Sequence, residues 1–165
     1  MLKTESPSEH ETHFHSESEI ETTELGRLLA FALEPGCNVG LIGDLGAGKT
    51  RLVQAIASAL DVPPEQVNSP TFTLINEYPG TIPLRHCDTY RLRNPDEFLD
   101  LGLDELLAED GVALIEWADR VRDLLPRDVL RIAIRIVSTT ERIFEISAAG
   151  KTSQALLGRL RESLS

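Results

Sequence analysis

The stretch GDLGAGKT, residues 43–50, decides the fold because it joins a predicted buried strand to a predicted helix. The preceding run CNVGLIG is short and mostly apolar, and the following KTRLVQAIASAL repeats apolar residues at helical spacing. The spacing is G-x-x-x-x-G-K-[ST], in which backbone amides surround a phosphate, the lysine reaches the β- and γ-phosphates and the hydroxyl ligates Mg²⁺. The sequence therefore predicts a phosphate loop made of Gly43, Asp44, Leu45, Gly46, Ala47, Gly48, Lys49 and Thr50.

Two carboxylates follow other predicted core strands at the point where each strand ends. Glu116 follows the apolar run VALI, and Asp88 follows LRHC. A carboxylate at such a strand end, near a triphosphate, holds Mg²⁺ directly or through water, or positions the attacking water. The alternatives are a helix cap or a surface acid. Trp117, next to Glu116, packs either near the nucleotide or in the core.

The remaining patterns predict a mixed sheet covered by helices. Helical periodicity is found in residues 22–33, in two pieces of 94–110 divided near Gly102, and in 151–164, and the first helix has Thr22 or Thr23 as its N-cap. Residues 129–137 and 142–148 alternate with period two and form an antiparallel pair, and further strands are predicted within 69–78 and 84–88. This order favours an α/β fold with a parallel core sheet and added antiparallel strands.

The N-terminal residues differ from the rest in composition. Residues 1–18 are polar, acidic and almost free of aliphatic side chains, so we expect a disordered acidic tail there and a single domain over 19–165. The tail contains His10, His13 and His15, for which no metal site is expected because the segment lacks a predicted structure.

Composition limits the classes of function. The net charge of −11 disfavours direct nucleic-acid binding, which depends mainly on lysine and arginine neutralising phosphates. One basic grouping of arginines is expected to form either a solvated face or a local basic patch. No apolar run is long enough to span a membrane, no signal peptide is visible and Cys37 and Cys87 stand far apart, so we expect a cytoplasmic protein with two packing thiols. The basic grouping comprises Arg85, Arg91, Arg93, Arg120, Arg122 and Arg127.

The absence of certain motifs disfavours some classes of nucleotide-binding protein. Neither DxxG nor NKxD, which GTPases carry, occurs in the sequence, so ATP is the expected nucleotide. An arginine-rich lid typical of small-molecule kinases does not follow the phosphate-loop helix. A compact ATPase that changes the state of a partner protein fits these absences best. A small-molecule kinase and a binding module that does not hydrolyse ATP are the alternatives.

Five motifs in order resemble the bacterial TsaE family, also called YjeE. They are GDLGAGKT at 43–50, NSPTFTLINEY at 68–78, HCDTYRL at 86–92, GLDELL at 102–107 and LIEWADR at 114–120. The resemblance covers about residues 20–150. It implies a P-loop NTPase-like three-layer fold and a small Mg²⁺-dependent ATPase that joins TsaB and TsaD. That complex forms threonylcarbamoyladenosine at position 37 of tRNAs that read codons starting with A, and the partners rather than this chain hold the tRNA.

The resemblance also implies roles for particular residues. Lys49 would contact phosphate, Thr50 and Glu116 would hold Mg²⁺, and Asp88 would support hydrolysis beside the metal. Trp117 would neighbour the metal-linked glutamate. Ser69, Pro70 and Thr71 correspond to a switch-like segment in which Thr71 senses the γ-phosphate, and Thr22 and Arg142 fall where the family contacts the far end of the nucleotide.

Overall fold

The computed structural model describes residues 4–8, 10–67, 75–102, 106, 107 and 109–165 of the chain. They contain eight strands: β1 Thr4–Ser8, β2 Glu11–Ser16, β3 Asn38–Ile42, β4 Ile75–Pro79, β5 Pro83–Asp88, β6 Val112–Glu116, β7 Leu130–Ile136 and β8 Arg142–Ala148. These strands form one sheet in the order β1-β2-β8-β7-β3-β6-β5-β4.

The parallel part of the sheet consists of β7, β3, β6 and β5, and antiparallel strands extend it on both sides. The expected combination of a parallel core with antiparallel additions is confirmed. In the β5–β6 register Asp88 lies opposite Glu116, and in the β3–β6 register Leu41 lies opposite Glu116. The carboxyl ends of three neighbouring strands therefore meet where the phosphate loop leaves β3.

Helices cover both faces of the sheet and give the three layers that the resemblance implies. Alternate residues of β6 enter separate cores: Leu114 packs with the first core and Ile115 with the second. The first core includes the apolar faces of α1 Glu19–Ala32, α2 Lys49–Ala59 and α4 Lys151–Leu164. The second lies under α3 Pro95–Asp100 and a 3₁₀ segment, Ala118–Leu124. A strand that is apolar throughout, like VALI, is buried on both faces in this way.

The expectation of disorder over residues 1–18 is wrong for the strands β1 and β2. β2 pairs with β8 from Glu11 to Ser16, and the Phe14 ring is fully buried, with its centroid 6.1 Å from that of Phe144 at an interplanar angle of 72°. The segment ETHFHS turns only every second side chain inward, so a single aromatic ring and the ladder hydrogen bonds hold a strand whose composition is polar.

The first helix begins earlier than the apolar periodicity predicts. It starts at Glu19, and the Ser18 hydroxyl accepts a hydrogen bond from the Glu21 amide at 3.2 Å. Neither Thr22 nor Thr23 is the N-cap. Thr22 is buried in the first turn, and its hydroxyl lies 2.8 Å from that of Ser16. The motif S-x-x-E at 18–21 is a helix-start signal that the apolar pattern alone does not include.

The other predicted elements within the described residues are confirmed. They include β3, α2, β5, β6, the antiparallel pair β7–β8 and the helix α4, and Asn94 caps α3 by accepting from the Glu97 amide. The strand predicted within 69–78 is observed over Ile75–Pro79, and its first part and most of the second helical piece after Gly102 lie outside the described residues. No described helix is both long and apolar enough to cross a membrane.

Candidate functional site at the phosphate loop

The loop between β3 and α2 depends on two glycines for its conformation. Gly46 has φ +81° and Gly48 has φ +107°, values that side chains other than glycine rarely adopt. A Cβ built on either glycine would meet no atom within 4 Å, so both face open space. Gly43 differs, because its Cβ would lie 2.9 Å from the Ile134 carbonyl of β7. Two glycines thus shape the concavity, and the third allows close packing of the loop on the sheet.

Lys49 lies inside this concavity and is 5% exposed. Its Nζ donates to the carbonyl of Gly43 and, at 3.0 Å, to that of Asp44. The same ammonium lies 3.8 Å from the Trp117 ring centroid, a cation–π contact. Burial lowers the pKa of Lys49, and the nearby carboxylates of Glu116 and Asp88 oppose that shift. The cation is held by backbone carbonyls and a ring, which an anionic phosphate can replace.

The first residues of α2 and the end of β6 are joined by a buried polar chain. The Thr50 hydroxyl donates to Glu116 Oε1 at 2.9 Å and approaches Oε2 at 3.1 Å. Glu116, 2% exposed, is also hydrogen-bonded through Oε2 to Nε2 of His86, which is fully buried. Thr50 and Glu116, predicted as the metal pair, are therefore in direct contact.

His86 is a site residue that sequence reasoning missed. It lies two positions before Asp88 in LRHCD, so it shares a face of β5 with that residue. The available signal in the sequence was a polar residue at the position of the buried strand that shares a face with Asp88. The Nε2 of His86 is hydrogen-bonded to the Glu116 carboxylate, while Nδ1 has no hydrogen-bond partner among the described residues.

Asp88 is placed on the neighbouring strand end, as its position in the sequence predicts. It is 8% exposed, and its Oδ1 accepts from the Tyr90 amide at 2.9 Å. Thr89 fixes the strand ends by donating its hydroxyl to the Trp117 carbonyl at 2.7 Å. Burial, helped by Asp88 and Glu116, raises the pKa of Cys87 to about 12, so this thiol packs as a neutral group, as expected.

The side chains of Lys49, Thr50, Asp88 and Glu116 line one cleft of about 390 Å³. The Trp117 and Tyr90 rings, with centroids 4.8 Å apart, stand at its side. The structure thus brings together Lys49, Thr50, Asp88, Glu116 and Trp117 with the loop residues Leu45, Gly46 and Gly48. Thr71, with Ser69 and Pro70, lies outside the described residues.

A second cleft, of about 540 Å³, lies on the other side of the loop. It contains Thr22 and Arg142, the two residues expected at the far end of the nucleotide. The Arg142 guanidinium donates to the carbonyls of Ala47 at 3.0 Å and Gly46 at 3.2 Å. Gly46 and Gly48 line both clefts, so the loop lies between the cleft that contains Asp88 and Glu116 and the larger cleft that contains Thr22 and Arg142.

The arginines that the sequence groups together are distributed over several surroundings. Arg85 pairs with Glu77 and Asp110, and Arg120 donates to the Tyr90 and Leu92 carbonyls. Arg91 lines the cleft beside Lys49. Arg122 and Arg127 line a cavity that shares no residue with either cleft at the loop. The grouping therefore does not act as one basic patch.

Comparison with known proteins identifies the relatives of this chain. The family model described as threonylcarbamoyl adenosine biosynthesis protein TsaE matches residues 16–144. The chain belongs to the TsaE family. The TsaE protein of Bacillus subtilis, named for tRNA threonylcarbamoyladenosine biosynthesis, is 42% identical over 141 residues, covering 85% of this chain and 87% of the relative. That of Treponema pallidum is 39% identical over 134 residues, covering 81% of this chain and 97% of the relative.

A solved structure supports the same grouping. The crystal structure of Bacillus subtilis YdiB matches with a TM-score of 0.78 and 33% identity, covering 99% of this chain and 97% of YdiB. The match extends over the antiparallel strands as well as the parallel core, so the whole TsaE architecture described above is shared. The resemblance to TsaE drawn from the five motifs is thereby confirmed.

Proposed function

We propose that this TsaE protein is a Mg²⁺-dependent ATPase of the cytoplasm. In this proposal it supports the TsaB–TsaD heterodimer, which forms threonylcarbamoyladenosine at position 37 of tRNAs. The observation that carries the proposal is the direct pairing of Thr50 with Glu116 beside the buried Lys49. The family's role in threonylcarbamoyladenosine biosynthesis supplies the biological setting.

The residues present fit a magnesium ion. Mg²⁺ prefers oxygen ligands and is held through one or two carboxylates together with substrate phosphates. The Thr50 hydroxyl, the Glu116 carboxylate and, from the next strand, Asp88 are the oxygen groups at this cleft. A bound Mg²⁺ would neutralise charge on the phosphate oxygens. The hydrogen bond from His86 would hold the Glu116 carboxylate in place if the Thr50 hydroxyl and Glu116 bound the ion.

The chain also offers separate places for the two halves of ATP. The loop residues Leu45, Gly46 and Gly48 and the first residues of α2 line the cleft with Lys49, where the phosphates lie in this proposal. The larger cleft beside Thr22 and Arg142 takes the nucleoside. Arg142 holds the loop carbonyls in place from that side, so the same side chain braces the loop and borders the nucleoside.

Hydrolysis in this proposal depends on positioning and charge. The Lys49 ammonium exchanges its carbonyl acceptors for phosphate oxygens and offsets the negative charge of the transferring phosphoryl group. Asp88, fixed by the Tyr90 amide, orients the attacking water. Arg51 and Arg91 line the cleft, and Arg51 is paired with Glu19. Because the sequence has no obvious arginine finger after the core, we expect slow turnover alone and faster turnover with the partners.

The experiment measures release of inorganic phosphate from Mg-ATP by the chain alone and with TsaB and TsaD added. We expect a low rate that rises when both partners are present, and no release by Lys49→Ala under either condition. Equal rates with and without the partners would contradict partner activation. Calorimetry with Mg-ATP tests the earlier step, and absence of heat from folded protein would contradict nucleotide binding altogether.

The kinase alternative is tested in the same reaction. The proposal requires that the terminal phosphate appears as inorganic phosphate in the absence of any metabolite. Formation of a phosphorylated metabolite in place of inorganic phosphate, when a set of hydroxyl acceptors is supplied, would favour a kinase. Tight binding of ATP with no phosphate release, even with the partners, would favour a module that does not hydrolyse it.

A further inference from the structure

A cavity of about 360 Å³ lies between β3, β7, the 3₁₀ segment and the chain that follows it, outside both clefts at the phosphate loop. Its apolar lining includes Ile42, Leu125 and Val129, and three arginines, Arg122, Arg127 and Arg131, stand around it. No residue of this cavity lines either cleft at the loop. We call it the arginine cavity.

The three arginines lack the partners that other arginines of the chain have. Arg51, Arg85 and Arg135 are each paired with a carboxylate. Within the described ranges, by contrast, no ion pair or side-chain hydrogen bond is formed by Arg122, Arg127 or Arg131. Arg122 and Arg127 are exposed and Arg131 is half-buried, so three guanidinium groups without a carboxylate partner surround one cavity.

The charges around the cavity favour an anion. Burial lowers the pKa of Arg131, the like charge of Arg122 acts in the same direction, and Asp119 opposes both. Arginine nevertheless stays protonated in proteins, so the repulsion persists in the empty cavity. A bound carboxylate or phosphate relieves it, and two guanidinium groups can each hold such an anion with paired hydrogen bonds.

The apolar lining distinguishes between these anions. A sugar–phosphate backbone has no apolar group to place against Ile42, Leu125 and Val129, and the net charge of −11 repels a polyanion as it approaches. A protein segment with an acidic side chain beside an apolar one satisfies the arginines and the lining together. Arginine around an apolar centre is also typical of protein interfaces.

We propose that the arginine cavity docks an acidic segment of a partner protein, with a carboxylate between Arg122 and Arg131 and an apolar side chain against Ile42. β3 carries Gly40 and Ile42 in the cavity and continues directly into Gly43 of the phosphate loop. A docked segment is therefore next to the loop without occupying either of its clefts, so nucleotide and partner can be bound together. This proposal does not require ATP hydrolysis.

The test selects peptides from a random library on the immobilised full-length chain. The variant Arg122→Ala/Arg131→Ala serves for counter-selection, and Arg93→Ala/Arg135→Ala is the matched control, since it removes the same charge from outside the cavity. We expect the selected peptides to share an acidic residue next to an apolar one. Their dissociation constants, from fluorescence anisotropy, should rise about tenfold for each cavity arginine removed and stay near the wild-type value in the control.

Three results would overturn the proposal. The first is no enrichment over the counter-selection variant, and the second is a consensus without acidic residues. The third is binding of a single-stranded oligoribonucleotide that depends on Arg122 and Arg131 as the peptide should, which would assign the cavity to phosphates. Thermal unfolding of the double variant establishes that the chain is folded, and Mg-ATP calorimetry on the same protein tests nucleotide binding separately. Because these arginines lie outside both loop clefts, that result also separates failure here from failure of the nucleotide proposal.

Discussion

Glu116 and Asp128 are two carboxylates of one sheet that are satisfied in different ways. Glu116, at the carboxyl end of β6, accepts from the Thr50 hydroxyl and bonds the His86 imidazole. Asp128, just before the amino end of β7, accepts from the backbone amides of Thr152 at 2.9 Å and Ser153 at 2.8 Å, at the start of α4.

The difference shows how to separate a carboxylate that serves chemistry from one that serves folding. The Thr50 hydroxyl can rotate away, so this partner of Glu116 can yield to a metal ion. The amides that Asp128 caps are fixed by the helix and have no alternative acceptor there. Gly150 adds to this arrangement, because its Cβ would lie 2.5 Å from the Asp128 carboxyl carbon. We therefore expect changes at Glu116 to alter activity and changes at Asp128 to alter stability.

The largest expected effect is that of Glu116→Gln. The amide keeps an acceptor for Thr50 and a partner for His86 but removes the charge that would hold the metal, so the rate of phosphate release should fall about 10²- to 10³-fold. The measurement is single-turnover hydrolysis over a range of Mg²⁺ concentrations, with thermal unfolding as the control. A rate within twofold of wild type would remove Glu116 from the proposed site.

Asp88→Asn should reduce hydrolysis about 10²-fold while ATP binding is retained, because the asparagine still accepts from the Tyr90 amide but loses the charge that orients water. Calorimetry with a non-hydrolysable ATP analogue, beside phosphate release, separates the two effects. If binding and hydrolysis fall together, Asp88 belongs with Glu116 as a metal group.

Asp128→Ala is expected to cost about 1 kcal/mol in the free energy of unfolding, the usual effect of removing a helix cap. Urea denaturation measures it, and the exposed Asp96 in α3, substituted in the same way, provides a charge-matched comparison. Phosphate release should not change. Loss of phosphate release in Asp128→Ala, with an unchanged free energy of unfolding, would show that Asp128 serves activity rather than folding.

The smallest expected effect is the pH dependence of the Asp128 contribution. Burial works against ionisation, but hydrogen bonds from Ser153 and Thr152 outweigh it and hold the pKa of Asp128 below its ordinary value of 3.8. The contribution is thus complete above the pKa of the unfolded chain and is lost as pH falls through the lower folded value. The difference in unfolding free energy between wild type and Asp128→Asn should be constant near neutrality and shrink in acid. A difference that grows in acid would contradict this sign.

Much of the site could be predicted from the sequence because its signals are local. The phosphate-loop glycines, the strand before them and the helix after them all lie within one short stretch. Asp88 and Glu116 were found because each directly follows a predicted core strand, and parallel strands bring such ends together. That His86 joins them was not predicted, since its role depends on the pairing of two strands rather than on its neighbours in the chain.

The wrong prediction of disorder at β2 has the same origin. β2 contains only one large apolar residue, Phe14, and its partner Phe144 lies far along the chain, so no local window marks it as a strand. The N-cap at Ser18 was overlooked for another reason. The apolar repeat starts one turn later than the helix, and only the capping pattern identifies the true beginning.

The pairing of β2 with β8 has a consequence for biosynthesis. Ribosomes release the N-terminal strand first, yet the strand it must join, Arg142–Ala148, is among the last parts of the domain to emerge. During translation β2 has no strand to pair with until β8 is made, whereas β3 and α2 can already associate. Pairing of β2 therefore has to wait until β8 has been synthesised, and a nascent TsaE polypeptide stalled before β8 would carry its Phe14 side chain exposed to chaperones.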